Sequence, residues 1–296
     1  MLSQQQVEQY REQGVIVVPD VVDAFTLKRM REVLAGLVED SRKVAQHDDV
    51  YDLEPGHSSE APRVRRIKKP HKVHAVFDEA LRTPAMFSIL RALVGASARL
   101  YGAKLNLKSP EFGSPVEWHQ DWAFYPHTND DFLAIGVMLD DTTVENGAMY
   151  VMPGTHKGPT FVHHDTSGHF CGAIDPESCG LDFSKAIACE GAAGSCSFHH
   201  VRLVHGSAQN TSQRPRGLLL YEIAAADAFP LMGAGNYDDF KSRLLYGEES
   251  NLPRFRETPV RMPLPPALKQ GSIYESQTVA KRYFGFVNTP VKKTAA

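Results

Sequence analysis

The stretch Trp118-His119-Gln120-Asp121-Trp122 sets an imidazole and a carboxylate two residues apart. In an extended strand, side chains at i and i+2 share a face, so His119 and Asp121 can offer a nitrogen and an oxygen to one point in space. A second imidazole from a distant strand, His205, would complete a two-histidine, one-carboxylate face. Such a donor set suits non-haem Fe(II) and leaves coordination positions open. A His-x-Asp pair alone is weak in a chain with 13 histidines, and by itself it reads as structural. The weight comes from what surrounds His205: Gly206 and Ser207, then Asn210, Ser212, Arg214 and Arg216, then the strand-forming run 218–223. His200 is an alternative distal ligand, but only His205 stands at a suitable distance from an arginine.

Those residue types belong together chemically. Of the three positions left on the metal, a 2-oxo acid takes two through its carboxylate and keto oxygen, and O2 takes one. The remote carboxylate of 2-oxoglutarate would then be buried, and it needs a cation able to form a two-pronged pair. Arg216 opens a strand on which Leu218, Leu220 and Glu222 share its face, so it can point inward. Arg214 competes, but it precedes Pro215 and belongs in a turn. Iron, Asp121, 2-oxoglutarate and one arginine sum to zero charge, as a buried site prefers.

The elements that must carry these groups are legible from pattern. Ser3 with Gln6 has capping-box spacing, Gly14 closes a short helix, and a strand follows over 15–18. Asp23 caps a second helix with Leu27, Met30, Leu34 and Leu37 on one stripe. Residues 47–62 read as a polar loop and a candidate lid. The basic run Arg63, Arg65, Arg66, Lys68, Lys69 and Lys72 reads either as a solvated face or as a source of one cation for an anionic ligand. Thr83 and Pro84 start a helix that ends at Gly95. Strand-length runs then follow at 98–107, 115–122, 132–140, 148–152, 196–198, 203–207 and 217–223, separated by turn residues. These predict a mainly β protein with flanking helices. Beyond Ala226 the pattern dissolves, apart from a helix around 237–246, and we read a C-terminal wrap, lid or oligomer contact.

Bulk properties narrow the class. With 296 residues, 42% of them hydrophobic, the chain can build one large core or two small ones. A net charge of −3 gives no global basic field, so a nucleic-acid partner is not expected. Four scattered cysteines without a C-x-x-C pair, and an N-terminus lacking an apolar segment, point to a reducing cytoplasmic setting. No apolar run is long enough to cross a bilayer. The C-terminal Lys-Lys-Thr-Ala-Ala matches no lipidation signal.

The segments Trp118-His119-Gln120-Asp121, Glu145-Asn146-Gly147 with Pro153-Gly154-Thr155-His156, and His205-Gly206-Ser207 through Asn210 to Arg216 resemble the phytanoyl-CoA dioxygenase family. The likeness covers roughly 15–225. It implies a double-stranded β-helix (a jelly-roll, cupin-like core) and dependence on Fe(II), 2-oxoglutarate and O2. It further implies that His119, Asp121 and His205 bind iron, that Arg216 pairs with the far carboxylate of 2-oxoglutarate, and that Ser207 assists by a hydrogen bond. An upstream basic residue can also approach the co-substrate, and Arg66 is the best match, with Lys68 the alternative. Family halogenases replace the carboxylate by a small residue; since Asp121 is present, hydroxylation or desaturation is implied.

These readings give one domain over 1–296: a helical N-terminal region over 1–96, a jelly-roll core over about 97–225, and the wrap 226–296. The expected activity is oxidation of a C–H bond of a small molecule with release of succinate and CO2, by a monomer or homodimer. Two alternatives stay open: a non-catalytic metal-binding sensor on the same fold, and a cupin-like metalloenzyme that does not use 2-oxoglutarate. For the substrate pocket the candidates are Lys104 and Asn106, which share a strand face, and Trp122, the first of three aromatics with Phe124 and Tyr125. His156 reads as holding its turn, and His163 and His164 as solvated loop residues.

Overall fold

The computed structural model describes residues 1–110 and 113–284. Helix α1 (Gln4–Gln13) begins with the expected capping box and ends on Gly14 at φ 79. Strand β1 (Val15–Val18) leads to α2 (Ala24–Asp40), whose first turn is capped by Asp23. The region 47–62 is not the free polar loop expected from its composition. It contains β2 (Tyr51–Leu53), paired with β3 (Val64–Lys68). Two of its acids are bound inward: Asp52 is only 3% exposed, and Glu54 accepts hydrogen bonds from Ser114 N–H (3.0 Å) and Oγ–H (2.6 Å). Ion pairs from Asp52 to Arg66 and Lys68 on the adjacent β3, and the Glu54–Ser114 contact, pin this segment down.

Short helices α3 (Pro70–Val73) and α4 (Ala75–Glu79) precede α5 (Pro84–Leu93), which starts with Thr83 as cap and Pro84 in its first turn. The strands that follow are β4 (Ala98–Lys108), β5 (Val116–His119), β6 (Phe132–Met138), β7 (Met149–Val151), β8 (Ile187–Cys189), β9 (Cys196–His200), β10 (His205–Ser207) and β11 (Arg216–Ala225). The expected helix at 237–246 is shorter, α6 (Tyr237–Ser242), and gives way to β12 (Leu244–Tyr246); a last helix, α7 (Ile273–Ser276), lies in the C-terminal segment. The lipidation reading of the last five residues lies outside the described residues.

The strands form two antiparallel sheets, one in the order β1-β9-β6-β11-β4-β3-β2 with β12 added beside β4, the other β5-β10-β7-β8. This is the double-stranded β-helix. Period-two alternation decides what each face of the large sheet does. Leu105, Leu219, Tyr221 and Ile223 point to one face and pack with Leu27 and Met30 of α2 and Met86, Ile89 and Leu90 of α5 in the main apolar core. The other face carries Lys104, Asn106 and Lys108 of β4, opposite Leu220, Leu218 and Arg216 of β11. That second face lines the lumen, and it is where polar groups are concentrated. Among the described residues no helix is long and apolar enough to cross a membrane, and the four cysteines are free.

Candidate active site

Strand β5 stops at His119; Gln120 is still extended, and Asp121 opens a 3-10 turn (Asp121–Ala123). The expected strand through Trp122 is therefore three residues too long, but the extended Gln120 between them still sets His119 and Asp121 toward one side, as period-two alternation expects. His205 arrives by register, as the direct partner of His119 in the β5–β10 ladder, with ring centroids 4.1 Å apart. Ligand-capable atoms of His119, Asp121 and His205 all lie within 4.8 Å of one another. Nε2 of His119 is 3.8 Å and Nε2 of His205 4.0 Å from the two Asp121 oxygens.

The backbone fixes the protonation of both imidazoles. Nδ1 of His119 lies 2.8 Å from the Glu117 carbonyl and Nδ1 of His205 2.9 Å from that of Leu203. A carbonyl only accepts, so each Nδ1 carries the proton and each Nε2 turns a lone pair toward Asp121. Burial pushes His119 down to about 4 and His205 well below its usual value, so both are neutral, as metal ligation requires. Burial opposes ionisation of Asp121, but the Lys104 ammonium and a hydrogen bond from His199 oppose it in turn, and the carboxyl is held well below the usual range. Two neutral imidazoles and one ionised carboxylate, with one side left open, fit Fe(II).

His163, read from sequence as a solvated loop residue, is 1% exposed. Its Nε2 accepts the Gln120 N–H at 2.9 Å, and its Nδ1 lies 2.8 Å from the Phe161 carbonyl. It thus grips the backbone between His119 and Asp121, a contact that no local pattern signals. His164 is partly exposed and reaches the Leu264 carbonyl. His200 stands apart from the cluster, facing Asp130 at 4.0 Å. His156 lies 3.1 Å from the Arg11 carbonyl, away from the metal-ligating group.

Beside the cluster lies an inner pocket of about 50 Å³, room for about four waters. Arg216, Lys108, Ser207 and Asn106 line it, together with Ile273 and Tyr274 from the C-terminal segment. Arg216 is 3% exposed and remains a cation, although burial lowers it to about 10. Its guanidinium donates to the Gly147 carbonyl at 2.6 Å, while among the described residues its Nε has no acceptor. Gly147 sits at φ +88, and a Cβ there would lie 2.7 Å from Lys108 Cδ, which explains a glycine after Glu145-Asn146. Lys108, the register partner of Arg216, donates to the Ala208 carbonyl, and burial pushes its ammonium well down. Arg214 points away, near Glu145 (3.9 Å) and more than half exposed.

An outer chamber of about 660 Å³ opens on the far side of Asp121, which lines both spaces, as does Lys104. Arg66 and Lys68 line this outer chamber and not the inner pocket; Asp52 holds them at 2.5 and 2.9 Å. Trp122 lines neither space. It is fully buried in the main core, with Nε1–H donating to the Pro259 carbonyl at 2.9 Å. The turn at Asp121 rotates the following residues by a helical step, so Phe124 and Tyr125 face the chamber instead.

The fold and the cluster define the class of non-haem iron oxygenases. The profile of the phytanoyl-CoA dioxygenase (PhyH) family matches residues 10–218, and the chain belongs to that family. It is 37% identical over 288 residues to a probable alpha-ketoglutarate-dependent hypophosphite dioxygenase of Stutzerimonas stutzeri, covering 96% of this chain and all of the relative. It is 26% identical over 230 residues to an L-proline trans-4-hydroxylase of Streptomyces griseoviridis, covering 71% and 82%. Among solved structures, iron-bound EctD from S. alaskensis superposes with a TM-score of 0.66 at 22% identity, covering 87% and 88%. EvdO2 from Micromonospora carbonacea in complex with 2-oxoglutarate gives 0.57 at 25% identity, covering 78% and 94%. The chain is accordingly an Fe(II)- and 2-oxoglutarate-dependent dioxygenase acting on a small molecule.

Proposed function

We propose that His119, Asp121 and His205 hold the ferrous ion, and that Arg216, with Ser207 and Lys108, holds the far carboxylate of 2-oxoglutarate in the inner pocket. The observation that carries this is the single lumen in which the metal-ligating cluster and a buried, under-bonded guanidinium share one small pocket. Iron and 2-oxoglutarate, once bound, supply O2 activation with release of succinate and CO2. The chain's own role is placement and dryness. His163 and the Glu117 and Leu203 carbonyls orient the ligands, and Lys104 keeps Asp121 ionised. Ile273 and Tyr274 wall off the pocket from water.

The oxidised atom lies in the outer chamber, against Phe124, Tyr125 and Phe170. Hydroxylation of a C–H bond is the first reading. The full-length similarity to a hypophosphite dioxygenase favours a second, in which the hydrogen stands on phosphorus, since hypophosphite contains no carbon. Both give succinate. The test is succinate formation by the purified protein with Fe(II), 2-oxoglutarate and O2, set against His119→Ala and Asp121→Ala. Succinate from the unaltered chain and none from either variant supports the assignment; equal succinate from all three overturns it.

A further inference from the structure

Two pairs of like charges face each other directly on the lumen side of the large sheet. Lys108 of β4 is the register partner of Arg216 of β11, and Lys104 of β4 is the register partner of Lys68 of β3. Directly opposed like charges weaken a ladder, so a sheet retains them where an anion offsets the repulsion. The first pair flanks the inner pocket, where the reading above seats the far carboxylate of 2-oxoglutarate. The second lies four residues back along β4, roughly 13 Å away at the rise of a strand, which is farther than a five-carbon diacid spans. It faces the outer chamber.

The charges of that chamber do not balance. Arg66 and Lys68 share the single carboxylate of Asp52, and Lys72 (2.9 Å) and Arg243 share that of Asp239. Lys104 pairs with Glu222 at 2.9 Å. Lys69 lines the same space from a left-handed backbone conformation (φ 47), and among the described residues its ammonium meets no acceptor. Apart from Asp121, whose charge belongs to the metal, six cations therefore stand against three acids. The excess of three positive charges is concentrated at the end nearest β3. Phe124, Phe170 and Ile273 supply apolar wall to the same chamber.

We propose that the outer chamber takes its primary substrate by a compact anionic head, a phosphorus oxyanion or a carboxylate, seated between Lys68 and Lys104 with Lys69 at the lip. This rests on the reading of the outer chamber as the place of oxidation. Because Lys104 lines the space beside Asp121 as well, the oxidised atom stands within a few bonds of the charged head. The chamber thus selects small anions, with the apolar wall accommodating the remainder. Glu222, held by Lys104 and by the Tyr125 hydroxyl at 3.2 Å, is placed to meet a positive group on a zwitterionic substrate.

The test is calorimetric titration of the Fe(II)- and 2-oxoglutarate-loaded protein, kept free of O2, with hypophosphite, methylphosphonate and acetate in turn, and with methanol as the neutral control. Saturable 1:1 binding of an anion, absent for methanol and weakened about tenfold or more in Lys68→Gln and in Lys104→Gln, is expected. Tighter binding of the two phosphorus anions than of acetate assigns an oxyanion head, and the reverse order a carboxylate. Lys69→Gln, at an exposed position, gives the same comparison should a buried substitution unfold the chain. Absence of binding by all three anions up to about 10 mM, or binding indifferent to all three substitutions, overturns the proposal. Binding of 2-oxoglutarate in the same preparations is the separate control: its loss in the unaltered protein would count against the dioxygenase assignment and not against the anion site.

Discussion

Arg216→Met is the substitution whose consequences the structure specifies most closely. The guanidinium is buried, donates one hydrogen bond to the Gly147 carbonyl, and has Nε free to serve a ligand. Removing one partner of a buried charge pair costs about 3–5 kcal/mol. Lys108 lies directly across the ladder and remains as a second hydrogen-bond donor for the carboxylate, which places the loss at the lower end. A loss of about 3 kcal/mol corresponds to a fall in 2-oxoglutarate affinity of about two orders of magnitude. Iron affinity should not change, because Arg216 belongs to β11 and touches none of the three ligands. Thermal stability should hold or rise, since an apolar side chain replaces a buried charge whose contacts in the ligand-free chain are incomplete. The assay is anaerobic calorimetry with 2-oxoglutarate on the Fe(II)-loaded variant, alongside a separate iron titration. A change in 2-oxoglutarate affinity of less than about threefold would refute the assignment. Parallel loss of iron binding would show that the two halves of the site are not independent.

His163→Phe should lower iron affinity about 10- to 100-fold while the melting temperature changes little, because the Gln120 N–H between the two ligands loses its acceptor; an iron titration unchanged from the unaltered protein would contradict this. Acidification should destabilise the metal-free chain. Burial pushes His127 down to about 4 and His200 down to about 3, while an unfolded imidazole titrates near 6.5, so below that pH the unfolded chain binds protons that the folded chain does not. Stability is fully present above about pH 6.5 and declines toward pH 4, by on the order of 3 kcal/mol per group, and a urea-unfolding midpoint that stays flat or rises over that window would contradict the sign. Ile273 and Tyr274 of the segment around α7 line the inner pocket, so bound 2-oxoglutarate would lie against this segment. Hydrogen exchange at residues 272–279 should therefore change when 2-oxoglutarate is added to the iron-loaded protein, and identical exchange would argue against that contact.

What was legible in the sequence was whatever depends on neighbours along the chain. The caps at Ser3, Asp23 and Thr83, the glycine stop at Gly14 and the alternation through β4, β6 and β11 are local, and each element stands close to where its pattern placed it. The approach of His119 and Asp121 was anticipated from their spacing, while what brings His205 to them was not local. Extended backbone at Gln120 sets His119 and Asp121 on one side, register across β5–β10 brings His205 opposite His119, and the chain then leaves the strand through a 3-10 turn. That turn also explains why Trp122 went to the core while Phe124 and Tyr125 reached the chamber.

Lys108 was within reach of sequence reasoning. It continues the face shared by Lys104 and Asn106 by one more step, just past the expected end of its strand at 107. The roles of Asp52, His163 and Tyr274 were not. His163 and Tyr274 depend on partners far along the chain and Asp52 on the pairing of β2 with β3, while their local surroundings read as polar loop or featureless tail. Composition says whether a segment is polar; only the fold says whether its charges meet water or one another.

The central claim is that one ferrous ion sits among His119, Asp121 and His205 with 2-oxoglutarate reaching toward Arg216. Diffraction at the iron absorption edge, from crystals grown without O2 in the presence of Fe(II) and 2-oxoglutarate, tests it most directly. The expected result is one anomalous peak in bonding contact with Nε2 of His119, Nε2 of His205 and a carboxylate oxygen of Asp121, and a co-substrate whose far carboxylate meets the Arg216 guanidinium. A peak elsewhere, or a co-substrate bound with Arg216 unengaged, would contradict the account.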